Sequence, residues 1–504
     1  MAYDLIAAVD LGSNSFRLQV GRIVGNQIYP LDSIKDSIRL AAGLKADKQL
    51  DTVSQTRGLE AIARYGERLR GFAPGTVRAV ATNTLRVAKN AAQFLRRAED
   101  ALGHPIEVIA GREEARLIYL GVAHSLPNPK RQSLVVDIGG GSTEFIIGRN
   151  FQPTQLESLY MGCVGFSLRF FPDGNVDKRQ MKEAELAARR ELQTIGQTYR
   201  NTGWEQAVGS SGTAKAICDL LELNGFSESG ITLEGLDHLR SLLIVAGNAE
   251  KLTLQGMRQD RIPVLAGGIA IISAVFREFE LEHMVFSEGA LRLGVLYDLL
   301  GRYHHEDLRE ATVEQFMQRY GIDRRQSVRV AQTATNLFNQ MLPANEAQND
   351  SGLQALLWAS RLHEIGISVA HSSYHKHSAY ILANADMPGF SRRDQLQLSR
   401  LVLGHRGKLE RLQGVTQETD EWLPVFCLRL AALLHRSRSD ETLPAIEASR
   451  SSRVFQLAFD AGWLDESPLT AAALAEEQQQ WNVLGISLRI KECTPVSDAK
   501  TRSN

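Results

Sequence analysis

Two short segments hold the residues best suited to chemistry: Ala8-Val9-Asp10-Leu11-Gly12-Ser13-Asn14-Ser15-Phe16 and Val135-Val136-Asp137-Ile138-Gly139-Gly140-Gly141-Ser142-Thr143-Glu144. Each is an apolar run, an Asp, a turn of small residues and a second apolar run. A hairpin tip of this kind presents backbone N–H groups and hydroxyls, which suit the oxygens of a phosphate. An acid beside a phosphate repels it unless a hard cation lies between them, so Asp10 and Asp137 point to Mg²⁺. Glu144, just after the second turn, is placed to reach the same ion directly or through water. One such turn alone reads as a plain Gly-rich hairpin. Two of them, 127 positions apart (137 − 10), imply two similar lobes facing each other across a cleft that takes a phosphorylated ligand.

Further candidates flank these turns. In Gly111-Arg112-Glu113-Glu114-Ala115-Arg116-Leu117, two acids open a helix that follows a strand. A helix dipole accounts for Glu113. Glu114 falls where α/β folds place their sites, and a carboxylate there can orient or deprotonate a water. Arg86 stands in the first turn of another helix, where a cation is disfavoured and an anionic ligand would explain it. Gly209-Ser210-Ser211-Gly212-Thr213 reads equally as a phosphate or nucleoside turn, with Ser211, Gly212 and Thr213 as contacts, or as a helix cap. The C-terminal half carries His363, His371, His375, His377, His405 and His435. Leu362-His363-Glu364 has the look of a metal-dependent HD phosphohydrolase core with Glu in place of Asp, and without an evident upstream His or downstream Asp. A relic helical scaffold is the favoured reading of it.

The elements that must position these groups alternate as strands and helices. Strands are expected over 5–10, 16–24 and 27–34, with a turn at Gly25-Asn26, then at 77–82 and 106–109. Helices are expected over about 52–70, from Asn83 and from Gly111. After the loop Ser125-Leu126-Pro127-Asn128-Pro129-Lys130 the pattern restarts, with strands at 144–149, 155–160 and 206–209 and a helix over about 176–200. Past about 303 the pattern is helical, for example 328–341, 353–363 and 395–405, and β-like alternation returns at 452–459 and 484–493 before a tail without expected order. The reading is an α/β chain of four parts: a first lobe over 1–124, a second over 125–302, a helical domain over 303–445 and a small α+β domain over 446–504.

Bulk properties narrow the class. The 504 residues are 43% hydrophobic and 23% charged, with formal net charge −1, so no global positive field favours nucleic acid or a membrane surface. Cys163, Cys218, Cys427 and Cys493 are scattered without CxxC spacing, which excludes a disulfide framework or zinc ribbon and fits a reducing cytoplasm. The first residues read as a strand and not a signal peptide. Val264–Phe276, the longest mainly apolar run, is too short to span a bilayer and reads as a buried helix.

Taken together, Asp10–Phe16, Ala41–Leu44, Thr82–Arg86, Gly111–Leu117, Asp137–Glu144, Met161–Val164, Gly212-Thr213, Gly289–Arg292 and Ser378–Leu382 resemble the exopolyphosphatase / guanosine pentaphosphate phosphohydrolase family, in order and over nearly the full length. The resemblance implies duplicated actin-like lobes, as in sugar kinases and chaperone ATPases, followed by an HD-like helical domain and a small terminal domain. It also implies that Glu114 activates water, and that Asp137 and Glu144, with Asp10, hold Mg²⁺; Mn²⁺ is the alternative metal and K⁺ a stimulating ion. Phosphate would be held by Gly12, Ser13, Asn14, Ser15, Arg86, Gly139, Gly140, Gly141, Ser142 and Thr143. The expected reaction is processive release of orthophosphate from inorganic polyphosphate by a cytoplasmic homodimer, with Lys and Arg of the helical half lining a groove for the polymer.

The alternative substrate within the family is guanosine pentaphosphate, which ends in the same phosphoanhydride. Members that prefer it often carry Ala at the position of Gly141, which tilts the expectation toward polyphosphate. Two readings from other classes are an actin-fold kinase and a non-catalytic sensor of polyphosphate or alarmone. The first lacks an evident acceptor pocket, and the second has no need of Glu114.

Overall fold

β1 (Leu5–Leu11), β2 (Phe16–Val24) and β3 (Gln27–Asp36) form an antiparallel meander, and β4 (Val77–Ala81) and β5 (Ile106–Val108) add to it in parallel, giving the order β3-β2-β1-β4-β5. The computed structural model describes residues 5–25, 27–303, 307–342, 351–412, 419–440 and 442–493. The chain divides into two compact units, Met1–Leu308 and Arg309–Asn504. Asn26, half of the expected hairpin turn, and the final residues lie outside the described ones.

The same arrangement recurs within the first unit. β6 (Ser133–Ile138), β7 (Thr143–Arg149) and β8 (Gln152–Leu159) repeat the meander, and β9 (Gln206–Ser210) and β11 (His283–Phe286) repeat the parallel strands. β10 (Ile231–Thr232) is an added edge, so the order is β10-β11-β9-β6-β7-β8. Even the irregularities correspond. β2 and β3 shift register at Val20/Gly21, where Gly21 stands opposite Pro30, and β7 and β8 shift at Ile147/Gly148, where Gly148 stands opposite Pro153. Proline cannot donate to a ladder, and glycine tolerates the local bend. These are two similar lobes, as the paired turns implied.

Helix Gly111–Ser125 follows β5, and helix Leu291–Tyr303 follows β11, so they are counterparts in the two lobes. They fill the space between the sheets. One apolar cluster joins Ile6, Ala8 and Val80 of the first sheet, Val135, Ile146 and Val208 of the second, and Leu117, Val122, Val295 and Leu296 of the helix pair. Glycine permits the close crossing: a Cβ on Gly294 would stand 1.7 Å from the Leu117 carbonyl oxygen, and one on Gly121 2.2 Å from that of Ala290. A buried ion network ties the pair further. Arg116 contacts Asp298 at 2.5 Å and Glu113 at 2.8 Å, and Arg78 contacts Asp298 at 2.6 Å. Glu113 is therefore a buried structural acid, correcting the expectation that it only complements the helix dipole. Loss of one member of such a network strands a charge at a cost of about 3–5 kcal/mol.

Val264–Phe276 lies within helix Ile262–Glu278, and all thirteen of its residues are buried. In the second unit, the helices expected at 328–341, 353–363 and 395–405 are Arg324–Met341, Ser351–Leu362 and Arg392–Gly404. Two of them begin earlier than their apolar periodicity because polar caps start them: Asp323 accepts from Gln326 N at 3.1 Å, and Ser391 and Asp394 form a capping box. A three-stranded sheet of β12 (Ile446–Ser451), β13 (Val454–Asp460) and β14 (Ser487–Cys493) packs its Phe455, Leu457 and Leu488 into the same core as Phe426 and Trp481. Among the described residues no helix is long and apolar enough to cross a membrane.

Candidate active site

The two small-residue turns meet. A Cβ on Gly140 would lie 3.1 Å from both Asn14 N and Ser13 Cβ, so the tips of β1–β2 and β6–β7 approach backbone to backbone. Each tip is braced from its own lobe. Ser13 Oγ accepts from Thr84 Oγ1 at 2.8 Å, while the Ser13 and Asn14 carbonyls accept from the backbone of Ala41 and Arg39. Gly139 N bonds the Ser142 carbonyl, and the Gly139 and Gly140 carbonyls accept from Cys163 and Val164 N. Between the lobes is a cleft of about 160 Å³, lined by Asp10, Gly12, Ser13, Asn14, Ser15, Glu114, Asp137, Gly139, Gly140, Gly141 and Ser142. Ser211, Gly212 and Thr213 also line it.

Strand register places the acids. Asp10 pairs with Arg17 across β1–β2, and Asp137 pairs with Glu144 across β6–β7. Burial raises Asp10 to about 6, against the lowering pull of Arg292 and Arg17. Burial likewise raises Asp137 to about 6, although Ser210 Oγ donates to its Oδ2. Glu114 is raised to about 7 by burial, partly offset by Arg86 and reinforced by Asp10 and Asp137. Burial, Glu114 and Asp137 push Glu144 well above the usual carboxylate range. Four buried acids, raised chiefly by desolvation and, for Asp137, Glu114 and Glu144, also by neighbouring carboxylates, are short of a cation. Asp10 Oδ1 is buried with no hydrogen-bond partner. Among the described residues no three His, Cys, Asp or Glu side chains cluster to enclose an ion. The all-oxygen donors still fit Mg²⁺, which takes one or two carboxylates and keeps waters or phosphate oxygens for its other positions.

Three expected residues stand back from the cleft. Arg86 Nη1 donates to the Ile109 carbonyl at 2.8 Å and pairs with Glu114 Oε2 at 3.2 Å, so it holds Glu114. Thr143 Oγ1 is engaged by the Met161 carbonyl at 2.6 Å. Glu144 is almost fully buried, and its Oε1 accepts from Ser158 Oγ at 2.8 Å. Of the cap expected from Ser211 or Thr213, one bond is present: Ser211 Oγ accepts from Thr213 N at 3.3 Å. Ser210 is the N-cap residue of helix Ser211–Leu223, and both hydroxyls donate to the Ile138 carbonyl at 3.0 and 2.9 Å. Ser211 has φ 80°, a left-handed conformation that stores strain at the cleft wall.

Among the described residues the cations lining the cleft are Arg17, Lys215, Arg261 and Arg292, none of which is assigned a role from the residue pattern, although Arg292 stands in one of the segments that carry the resemblance. Arg17 was findable, because it sits in the first lobe where Glu144 sits in the second. Arg261 is buried against Gly212, where a Cβ would lie 2.1 Å from its Nη2, so Gly212 makes room for a guanidinium. Lys215 pairs with Glu288 at 3.0 Å and lies over the Phe286 ring.

In the second unit, His363, His375 and His405 gather, whereas His371 is exposed and His377 only half-buried. Rings of His363 and His405 are 5.1 Å apart. Nδ1 of His363 bonds the Ser360 carbonyl at 2.7 Å, and His405 bonds the Val402 carbonyl and Tyr374 OH. Burial lowers all three, His375 to about 4, so they are neutral near pH 7. Glu364, the would-be partner of His363 in an HD dyad, is paired with Arg438. A guanidinium already neutralises that acid.

Family comparison agrees with this architecture. The model of the Ppx/GppA phosphatase family matches residues 19–303, and that of Ppx/GppA phosphatase domain III matches 308–478. The chain belongs to the Ppx/GppA phosphatase family. A Pseudoalteromonas translucida protein named guanosine-5'-triphosphate,3'-diphosphate pyrophosphatase is 37% identical over 96% of this chain and 98% of its own. An Aeromonas hydrophila protein of the same name is 37% identical over 97% and 99%. Among solved structures, the Aquifex aeolicus Ppx/GppA family member is 26% identical, with TM-score 0.51 over 60% of this chain and 99% of that one. An exopolyphosphatase from Cytophaga hutchinsonii shares the fold at 24% identity and TM-score 0.53, over 59% of this chain and 98% of that one.

Proposed function

We propose that this Ppx/GppA phosphatase hydrolyses the terminal 5'-phosphoanhydride of guanosine pentaphosphate, releasing orthophosphate and guanosine tetraphosphate. The observation that carries the chemistry is Glu114: a buried carboxyl at the cleft, raised to about 7 and held by Arg86. A base with that affinity for protons is matched to water activation near pH 7, an effect of about 10²–10⁴ in rate. The substrate follows the names of the two relatives that align over almost all of this chain.

In this reading the turns Gly12–Ser15 and Gly139–Ser142 surround the terminal phosphates with N–H and hydroxyl donors. Glu114 takes the proton of the attacking water as the anhydride P–O bond breaks. Asp137 and Asp10 would hold Mg²⁺, with Glu144 behind Asp137, and the ion would supply neutralising charge to the phosphate oxygens. Arg17, Lys215 and Arg261 offset the remaining charge of the ligand. Polyphosphate, the first expectation, rested partly on Gly141. There a Cβ would stand 2.7 Å from Asn83 Oδ1, so loop packing accounts for that glycine without reference to substrate.

The test is phosphate release by purified protein with Mg²⁺, comparing kcat/KM for guanosine pentaphosphate and long-chain polyphosphate. A preference for the nucleotide is expected. Preference for the polymer would restore exopolyphosphatase activity as the main reading, and release from neither would remove the hydrolase reading.

A further inference from the structure

The duplication that gives one phosphate turn per lobe also gives one cleft-facing helix start per lobe. In the first lobe, helix Gly111–Ser125 follows the outer parallel strand β5 and presents Glu114 in its first turn. In the second, helix Leu291–Tyr303 follows the equivalent strand β11 and presents Arg292 in its first turn. A cation there opposes the helix dipole and needs an anion to justify it. The protein supplies none: among the described residues the Arg292 guanidinium makes no hydrogen bond or ion pair. Asp10 and Glu288 act on it only through space, with no ion pair to either, and Arg17 adds further positive charge to its surroundings.

Its position is also fixed relative to Glu114. Leu117, one turn beyond Glu114, has its carbonyl oxygen at the place where a Cβ on Gly294 would intrude, and Gly289 meets the Gly121 carbonyl in the same way. The Arg116–Asp298 ion pair locks the two helices a second time, 2.5 Å between partners. A base and a cation are thus registered by one tight helix crossing, and both line the cleft formed with the two small-residue turns.

We propose that Arg292 is a catalytic residue that binds the oxygens of the transferred phosphoryl group and stabilises the charge they carry while Glu114 delivers water. This rests on the hydrolase reading above. An arginine that supplies this charge in phosphoryl transfer is worth about 10³–10⁵ in kcat. The guanidinium forms hydrogen bonds only and takes no proton from the reaction, so orthophosphate leaves with the oxygen of the water.

The experiment measures kcat and KM for guanosine pentaphosphate in Arg292→Ala and Arg292→Lys, with circular dichroism as a control for folding. Arg292→Ala is expected to lose about 10³-fold in kcat with KM changed less than about tenfold, and added methylguanidinium should restore part of the rate. Arg292→Lys should retain more activity than the alanine variant, since it keeps the charge and loses only the fork. If the alanine variant does not fold, the folded lysine variant decides, and wild-type kcat in it overturns the proposal. So does an Arg292→Ala protein whose kcat stays within threefold, whose loss lies in KM alone, or whose rate methylguanidinium leaves unchanged. An inactive wild-type protein would instead count against the hydrolase reading.

Discussion

The cleft of the first unit and the histidine cluster of the second are both buried and polar, and they treat charge in opposite ways. In the cleft, burial raises Asp10, Asp137, Glu114 and Glu144, Asp10 Oδ1 has no hydrogen-bond partner, and Arg292 makes no hydrogen bond or ion pair with Asp10 or Glu288, the acids whose charge reaches it. In the cluster, His363 and His405 are neutral and bonded to carbonyls of their own helices, and Arg438 neutralises Glu364. Uncompensated charge is costly in a folded protein and is tolerated where a ligand completes it. Compensated polarity builds structure. By this criterion the first unit carries the proposed reaction, and the HD-like dyad of the second is already satisfied by protein groups.

The comparison can be broken most severely at the helix crossing that registers the cleft. Gly294→Ala places a methyl against the Leu117 carbonyl and should destabilise the protein by about 1–3 kcal/mol or more, read as a lower denaturation midpoint. An unchanged midpoint would show that the crossing is loose. Next is Arg86→Ala. The guanidinium lowers the Glu114 pKa, so its removal should move the acidic limb of the kcat/KM profile to higher pH and cut the rate at pH 7 by about 10–100-fold. A limb that stays in place would separate Arg86 from Glu114.

A smaller effect is expected from Mg²⁺ on stability. Carboxyls with raised folded pKa values stabilise the protein fully below their unfolded values near 4, and that stabilisation is lost as pH rises through about 6 to 7. Metal binding needs the ionised forms, so the thermal shift produced by Mg²⁺ should be larger at pH 8 than at pH 5.5. Equal shifts would place Mg²⁺ away from these acids. The smallest effect on activity belongs to His363→Ala. Its phosphate release should stay within about twofold of wild type, while stability falls by roughly 1–3 kcal/mol for the unpaired Ser360 carbonyl and the lost packing. Collapse of activity in the folded variant would revive a second metal site.

The turns, the 127-residue repeat and Glu114 were legible because each is a local pattern whose chemistry depends on residue type and spacing. Arg261 and Arg292 were not, because isolated arginines in a chain of near-zero net charge carry no local signature until the fold aligns them, whereas Arg17, though assigned no role, was readable from the alignment of the two turn segments. Arg292 was within reach through Gly289-Ala290-Leu291-Arg292 once the lobes were superimposed, yet only the helix crossing shows why its glycines are there. Glu113 illustrates the opposite error: a local rule explained it, and the distant Asp298 and Arg78 decided its role. β12 was missed because Ile446–Ser451 shows little apolar alternation and gains its place by pairing with β13.

The most direct test of the central claim is single-turnover cleavage of guanosine pentaphosphate by wild-type and Glu114→Gln protein, with nucleotide binding measured on the same samples. The account predicts that the glutamine variant binds the nucleotide within a fewfold of wild type and loses about 10²–10⁴ in the rate of phosphate release. A variant that binds and cleaves like wild type would contradict it, as would one that is folded and no longer binds, since Glu114 would then hold the site together instead of activating water.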